Sequence, residues 1–385
     1  MTIPLSAPDI VEADIDAVAA VLRTPRIGLG PKLEEFEECF ARYIGVPHAV
    51  ALSSGTAGLH LGVLALGIGE RDEVIPPSFT FIAANAILHA RATPVFVDID
   101  ARRLNLDPEK VERTMTPRTR AILVVHTFGV PADLGPLLAL AQQEGLRAGS
   151  LGDLEAFAFY PNKPITTGEG GMMTTRDPWV ADTIRALRNQ GRRPSDGWLD
   201  HSLPGYNFRI SEMNCALGIA QTRRIDEILE LRRAAAACYC AELRRLPGVT
   251  LPLAEIANGK VSWFVFVVRM AGRDQAAAAL AAQGIASGKY FAPLHRHPLF
   301  APYVHPAGDF RVTENAPAQT LARRSSRALP PPRSPPWGWR FRHAARKAGG
   351  LENSSGKPRR WHNPPPIYVP SRRRRRGTTA RIHVP

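Results

Sequence analysis

In the stretch EAFAFYPNKPITTGEGGMMTT, Glu155–Thr175, one lysine, Lys163, stands between an aromatic-rich run and the glycines at 168, 170 and 171. An amine beside a glycine turn has two readings. It is a solvated surface lysine, or it is a nucleophile that traps a carbonyl as a Schiff base. A second stretch, SSGTAG (Ser53–Gly58), joins an apolar strand-like run to an apolar helix-like one. A helix start offers unpaired N–H groups and a positive dipole end, and small residues let a phosphate approach them. The same residues also make an ordinary tight turn. The stretch lacks the Gly-Lys-Ser/Thr of a P-loop and the Gly-x-Gly-x-x-Gly of a dinucleotide fold. A third stretch, LPGYNFRISEMNCALGIAQ (Leu203–Gln221), sets Asn207 and Arg209 just ahead of a helix. It is an anion-binding loop or a helix cap, and its residue types do not choose between them.

A phosphate-binding helix start, followed about a hundred residues later by a lysine at a glycine turn, suits an aldehyde cofactor such as pyridoxal 5'-phosphate.

The elements that position these residues follow from periodicity. Residues 7–23 and 32–44 read as amphipathic helices; Val11, Ile15, Val18 and Leu22 recur at helical spacing in the first. Ala49–Leu52 reads as a short strand, followed by the small-residue turn and an apolar helix. Strand and helix then alternate: DEVIPPSFTF and FIAANAILHA, TPVFVDID and DPEKVERTM, RAILVVHTFG and DLGPLLALAQQEG. Asp107 is the expected N-cap of DPEKVERTM. Continuous apolar strands alternating with helices predict a mixed, mostly parallel sheet flanked by helices. Residues 212–245 read as long helix, and VSWFVFVVRM begins a smaller, more sheet-like unit.

The 385 residues suffice for two domains. No apolar run reaches the roughly 20 residues of a membrane helix, and the acidic, amphipathic start does not resemble a signal peptide, so a cytoplasmic location is expected. The four cysteines, Cys39, Cys215, Cys238 and Cys240, are scattered and read as reduced, buried thiols, with no metal site. The net charge of +14 is unevenly spread. Of 49 Lys/Arg and 35 Asp/Glu, residues 321–385 carry 17 and one, leaving 32 and 34 in the body. The Pro/Arg-rich tail has no apolar period and too little apolar surface to offset its ordering entropy. It is a nucleic-acid or anionic-surface arm, or an unfolded tail without function; composition favours the second.

Together, SSGTAGLHLGVLALGIGERDEVIPPSFTFIAANAI, HTFGVPADL, SLGDLEAFAFYPNKPITTGEGGMMTT, LRNQGR, GYNFRISEMNCALGIAQ and YFAPLHRHPLF make the chain resemble the DegT/DnrJ/StrS aminotransferases over about residues 3–320. The resemblance implies a PLP-dependent transferase of fold type I (aspartate aminotransferase-like). A large domain would span 1–240 and a smaller, incomplete C-terminal α/β domain 241–320, with a disordered tail over 321–385. It implies transfer of an amino group, usually from glutamate, to a keto sugar attached to a nucleotide, in polysaccharide or secondary-metabolite biosynthesis. By the same resemblance Lys163 is the Schiff-base lysine and proton shuttle, and favours amine transfer over the family's dehydratases, which carry histidine there. Gly55 and Thr56 match the phosphate turn, and Phe81 the aromatic residue stacked on the pyridine ring. Asn207 matches an asparagine that reaches the phosphate of the neighbouring subunit, implying a homodimer with shared sites. His295 and His297 fall either near the sugar nucleotide or among polar loop residues.

The chain departs from the family pattern in three places. After Leu146, about fifteen residues are expected to be missing, among them a buried strand and the aspartate that pairs with the pyridine nitrogen. Asp153 matches a different position. Ala158 stands where relatives place a phosphate-binding serine. Past GDFRVTENA, where a short apolar strand and a final helix are due, the basic tail begins; an out-of-frame reading of a GC-rich gene would produce such a switch. These departures motivate an alternative: a non-catalytic relic that binds the cofactor or a sugar nucleotide weakly or not at all.

Overall fold

The computed structural model describes residues 3–81, 83–143, 154–193, 195–197, 199–256, 259–304 and 308–323. The first half runs α1 (Glu12–Leu22), α2 (Pro31–Ile44), β1 (His48–Leu52), α3 (Gly55–Ala65), β2 (Glu73–Ile75), α4 (Asn85–His89), β3 (Thr93–Pro94), α5 (Pro108–Thr114), β4 (Thr119–Ile122) and α6 (Leu134–Gln143). After it come β5 (Glu155–Ala158), β6 (Gly171–Thr175), α7 (Pro178–Arg188), α8 (Glu212–Arg223) and α9 (Ile225–Leu243). The last part holds β7 (Val249–Thr250), β8 (Phe266–Met270), α10 (Arg273–Ala281), α11 (Arg311–Gln319) and β9 (Thr320–Arg323).

The helix starts follow their sequence signals. Asp107 caps α5 by accepting from the Glu109 amide at 3.1 Å. Ser54 caps α3, accepting from the Ala57 amide at 3.0 Å. The start of α2 is capped from afar: the buried Glu212 carboxylate accepts from the Lys32 and Leu33 amides at 2.8 and 2.9 Å, which fastens α8 to α2.

Among the described residues the mixed sheet forms two pieces. Strands β3, β2 and β4 pair parallel in that order, and β1, β6 and β5 pair antiparallel. Strand β4 is an edge of the first piece and β5 an edge of the second. The stretch between α6 and β5, 144–153, lies outside the described residues, and with it the expected gap after Leu146 and Asp153. Phe36, Phe40, Phe157 and Phe159 form the core between the β1-β6-β5 piece and helices α2 and α8. Their rings meet edge-on or tilted at 5.0–6.3 Å.

The third sheet, β7-β8-β9, is antiparallel. It corrects one expectation. Residues 321–323, grouped with the tail by composition, are strand β9, with Leu321 and Ala322 buried. The apolar alternation there is too short to register as a period, but β8 supplies its ladder partners. The remainder of the tail, 324–385, lies outside the described residues. The thiols are unpaired; Cys215 is buried, Cys39 and Cys240 are half-buried, and Cys238 is exposed on α9, so burial of all four is corrected.

Candidate active site

Lys163 sits in the turn between β5 and β6. Its amide donates to the Tyr160 carbonyl at 2.8 Å. The turn is tied down by Thr166, which donates to Phe159 O at 2.8 Å and accepts from the Gly168 amide at 2.9 Å. Two side chains of α8 hold it from outside: Gln221 accepts from the Thr166 amide, and Asn214 donates to the Thr167 and Glu169 carbonyls. The stretch NCALGIAQ thus serves the lysine turn.

The Lys163 side chain is half-buried, but its amine end is enclosed by protein, 4.1 Å from the centre of the Phe264 ring. Among the described residues no carboxylate forms an ion pair with it. Burial disfavours the ammonium and pulls the pKa from 10.5 to about 8. Of the two sequence readings, the solvated surface lysine is therefore set aside.

The lysine turn and the SSGTAG turn abut. A Cβ added at Gly171, where β6 begins, would lie 2.5 Å from the Ser54 carbonyl and 2.6 Å from the Gly55 nitrogen. One added at Gly55 would lie 2.7 Å from the Ala158 Cβ. Both glycines are required by this approach of backbones. The Ser54 hydroxyl occupies the Ala57 amide, and the Gly58 amide bonds Ser54 O. The Gly55 and Thr56 amides thus remain at the open end of α3, with Thr56 exposed.

Asn207 is brought to the same turn, since the carbonyl of the next residue, Phe208, accepts from the Ser53 amide at 2.9 Å. Asn207 itself is exposed. The cap of α8 is Ser211, which accepts from the Asn214 amide at 3.3 Å, and Arg209 donates to Asn189 at 3.1 Å. The cap reading of Asn207 and Arg209 is thereby removed. Phe81 is 74% exposed, touching the Phe291 ring at a centroid distance of 6.5 Å. Phe291 packs with Phe79 and Phe128, in a cluster against which Phe264 also packs.

His295 takes the structural option. It is buried, stacked 4.0 Å from Phe310, with Nδ1 2.6 Å from the Ser78 hydroxyl and Nε2 3.3 Å from Glu314. Burial lowers its pKa against the opposing pull of Glu314. It fastens the 294–300 segment to the loop that leads to Phe81. His297 is half-buried beside it.

Two residues were not singled out by their sequence context. Phe264 presents the ring beneath the amine. Arg232, 2% exposed, donates to the carbonyls of Trp263, Phe264 and Lys163. A signal existed for Arg232: it stands in register with Ile228, Ala235, Ala236, Tyr239 and Leu243, the buried face of α9, where a charge is out of place.

A cavity of about 500 Å³ lies elsewhere, lined by Arg26, Arg185, Arg188, Arg192 and Arg193 together with Glu34 and Asp196. Lys163, Thr56, Phe81 and Asn207 do not line it.

The arrangement fits a phosphorylated aldehyde at both ends. The open amides of α3 suit a dianionic phosphate, and an enclosed amine of lowered pKa suits the aldehyde. Asn162 Oδ1, beside Lys163 in the chain, is buried without a hydrogen-bond partner, as a polar group at a binding site can be. Among the described residues no cluster of three metal-ligating side chains occurs, and no helix is long and apolar enough to cross a membrane.

The fold is that of the fold-type-I PLP-dependent transferases, and the chain belongs to the DegT/DnrJ/EryC1/StrS aminotransferase family. The family model matches residues 8–148 and 141–330, two pieces that meet at the stretch where the sequence departs from the family pattern. The enzyme class is PLP-dependent aminotransferase, with pyridoxal 5'-phosphate as cofactor. The chain is 40% identical over 332 residues to GDP-perosamine synthase of Caulobacter vibrioides, covering 80% of this chain and 88% of the relative. It is 38% identical over 333 residues to dTDP-3-amino-3,4,6-trideoxy-alpha-D-glucose transaminase of Streptomyces venezuelae, covering 81% and 87%. The crystal structure of S. venezuelae DesV in complex with a ketimine intermediate superposes with a TM-score of 0.80 at 36% identity, over 89% of this chain and 95% of that one.

Proposed function

We propose that this chain transfers an amino group, with glutamate as donor, to a ketone on a nucleotide-linked sugar, working as a homodimer whose sites are shared. The nucleotide-linked products named for its relatives support the substrate class. When bound, the cofactor supplies the electron-withdrawing ring that makes the transferred hydrogen acidic. Lys163 would anchor it and, once released as the free amine, would move the proton between the cofactor carbon and the sugar carbon. Gly55 and Thr56 hold the phosphate through their amides, Phe81 offers its exposed face to the ring, and Asn207 reaches the phosphate of the adjoining subunit.

The observation that carries this reading is the enclosed Lys163 amine in a turn packed against the open end of α3. A second reading, a non-catalytic relic, rests on the sequence departure after Leu146, where the ring-nitrogen aspartate is expected. Borohydride reduction of the full-length chain with PLP, followed by peptide mapping beside a Lys163→Ala control, separates the two. A pyridoxyl adduct on the Lys163 peptide, with glutamate-dependent amination of a keto-sugar nucleotide, is expected. Absence of the adduct, or its persistence in the control, overturns the assignment of Lys163. An adduct without amination leaves the relic.

A further inference from the structure

We propose that Arg232 is the positioning residue of the site: its buried guanidinium clamps the backbone of Lys163 to that of Trp263 and Phe264 and so fixes where the lysine's amine lies. This rests on the reading of Lys163 as the anchoring amine. Arg232 Nη2 donates to Lys163 O at 3.0 Å, and Nη1 donates to Phe264 O at 3.1 Å and Trp263 O at 3.3 Å. The three acceptors lie on two segments a hundred residues apart in the chain, yet they carry the two partners of one contact, the Lys163 ammonium end and the Phe264 ring, 4.1 Å apart. A planar fork of five donors can span two backbone segments at fixed separation, which an ammonium on a flexible stem cannot.

Burial of a guanidinium is costly unless its donors are met, and here the carbonyls that meet its Nη1 and Nη2 donors belong to the site. The β5–β6 turn is also held by its own Thr166 and, from α8, by Gln221 and Asn214 at Thr166, Thr167 and Glu169. Arg232 is the fastening at Lys163 itself. The enclosure that it maintains is also the cause of the lysine's lowered basicity.

The test is competitive acetylation of the full-length, cofactor-free chain between pH 6 and 11, read peptide by peptide, with Lys110 as internal reference. In the unmodified chain the Lys163 labelling midpoint is expected near 8. Arg232→Met, which keeps the stem and removes the donors, is expected to move that midpoint up by about one pH unit or more, toward an ordinary lysine. Arg232→Lys should move it part of the way, and the Lys110 midpoint should stay. An unmoved Lys163 midpoint in either folded variant overturns the proposal, and loss of the fold in both assigns Arg232 a structural role instead. The borohydride adduct, measured separately, keeps the two readings apart. A shifted midpoint without an adduct in the unmodified chain defeats the cofactor reading and leaves the clamp. An adduct with an unmoved midpoint defeats the clamp.

Discussion

Replacing Lys163 by methionine removes one titrating amine from the interior and keeps most of its stem. In the folded chain burial holds that amine at about 8 rather than 10.5. Between those two values the unfolded chain binds the proton and the folded chain does not, so stability rises with pH across the window. The lysine's contribution is fully present above 10.5 and is lost as pH falls toward 8; below 8 the slope vanishes. A displacement of this size corresponds to about 3.4 kcal/mol at 1.36 kcal/mol per unit. The Phe264 face favours the ammonium by roughly 0.5–1 kcal/mol, which leaves about 2–3 kcal/mol. Urea unfolding of the cofactor-free wild type and Lys163→Met at pH 7, 8, 9 and 10.5 measures it. The stability difference, wild type minus variant, is expected to fall by about 2–3 kcal/mol from pH 10.5 to 7. Other groups displaced by burial, such as Tyr43, Cys215 and Tyr290, whose pKa values are raised, are common to both proteins and cancel in the difference. Parallel curves would mean that the amine is solvated, and the site as described would fall.

Two further outcomes are expected. Ala158→Ser restores a hydroxyl beside the Gly55 turn without enlarging the Cβ that Gly55 accommodates; one added charge-assisted hydrogen bond of about 1.5–3 kcal/mol should tighten PLP binding at least tenfold, measured by fluorescence titration. His295→Ala leaves the buried Ser78 hydroxyl without its 2.6 Å partner. Unfolding should become easier by about 1–3 kcal/mol, while the Lys163 adduct still forms in the folded protein.

Local signals carried much of the fold. The N-cap Asp107 and the helical period of α2 are rules of one turn, readable in a short window of sequence. The lysine at the glycine turn and the small residues of SSGTAG were equally visible as types of residue. Their sequence left each with a plain alternative, because burial depends on segments far along the chain.

Tertiary contacts decided the rest. The amine of Lys163 became a buried base because Phe264, a hundred residues later, covers it and Arg232 ties the two segments together. His295 became a fastening because Ser78 lies opposite it, and α8 took its cap from Ser211 rather than Asn207. Strand β9 was hidden in a basic, proline-rich composition, since four residues cannot display a period, and only the ladder with β8 defines them. Residue type and spacing state which chemistry is available. The pKa, orientation and exposure that put it to use are sums over neighbours in space, and those neighbours are chosen by the packing of the whole chain.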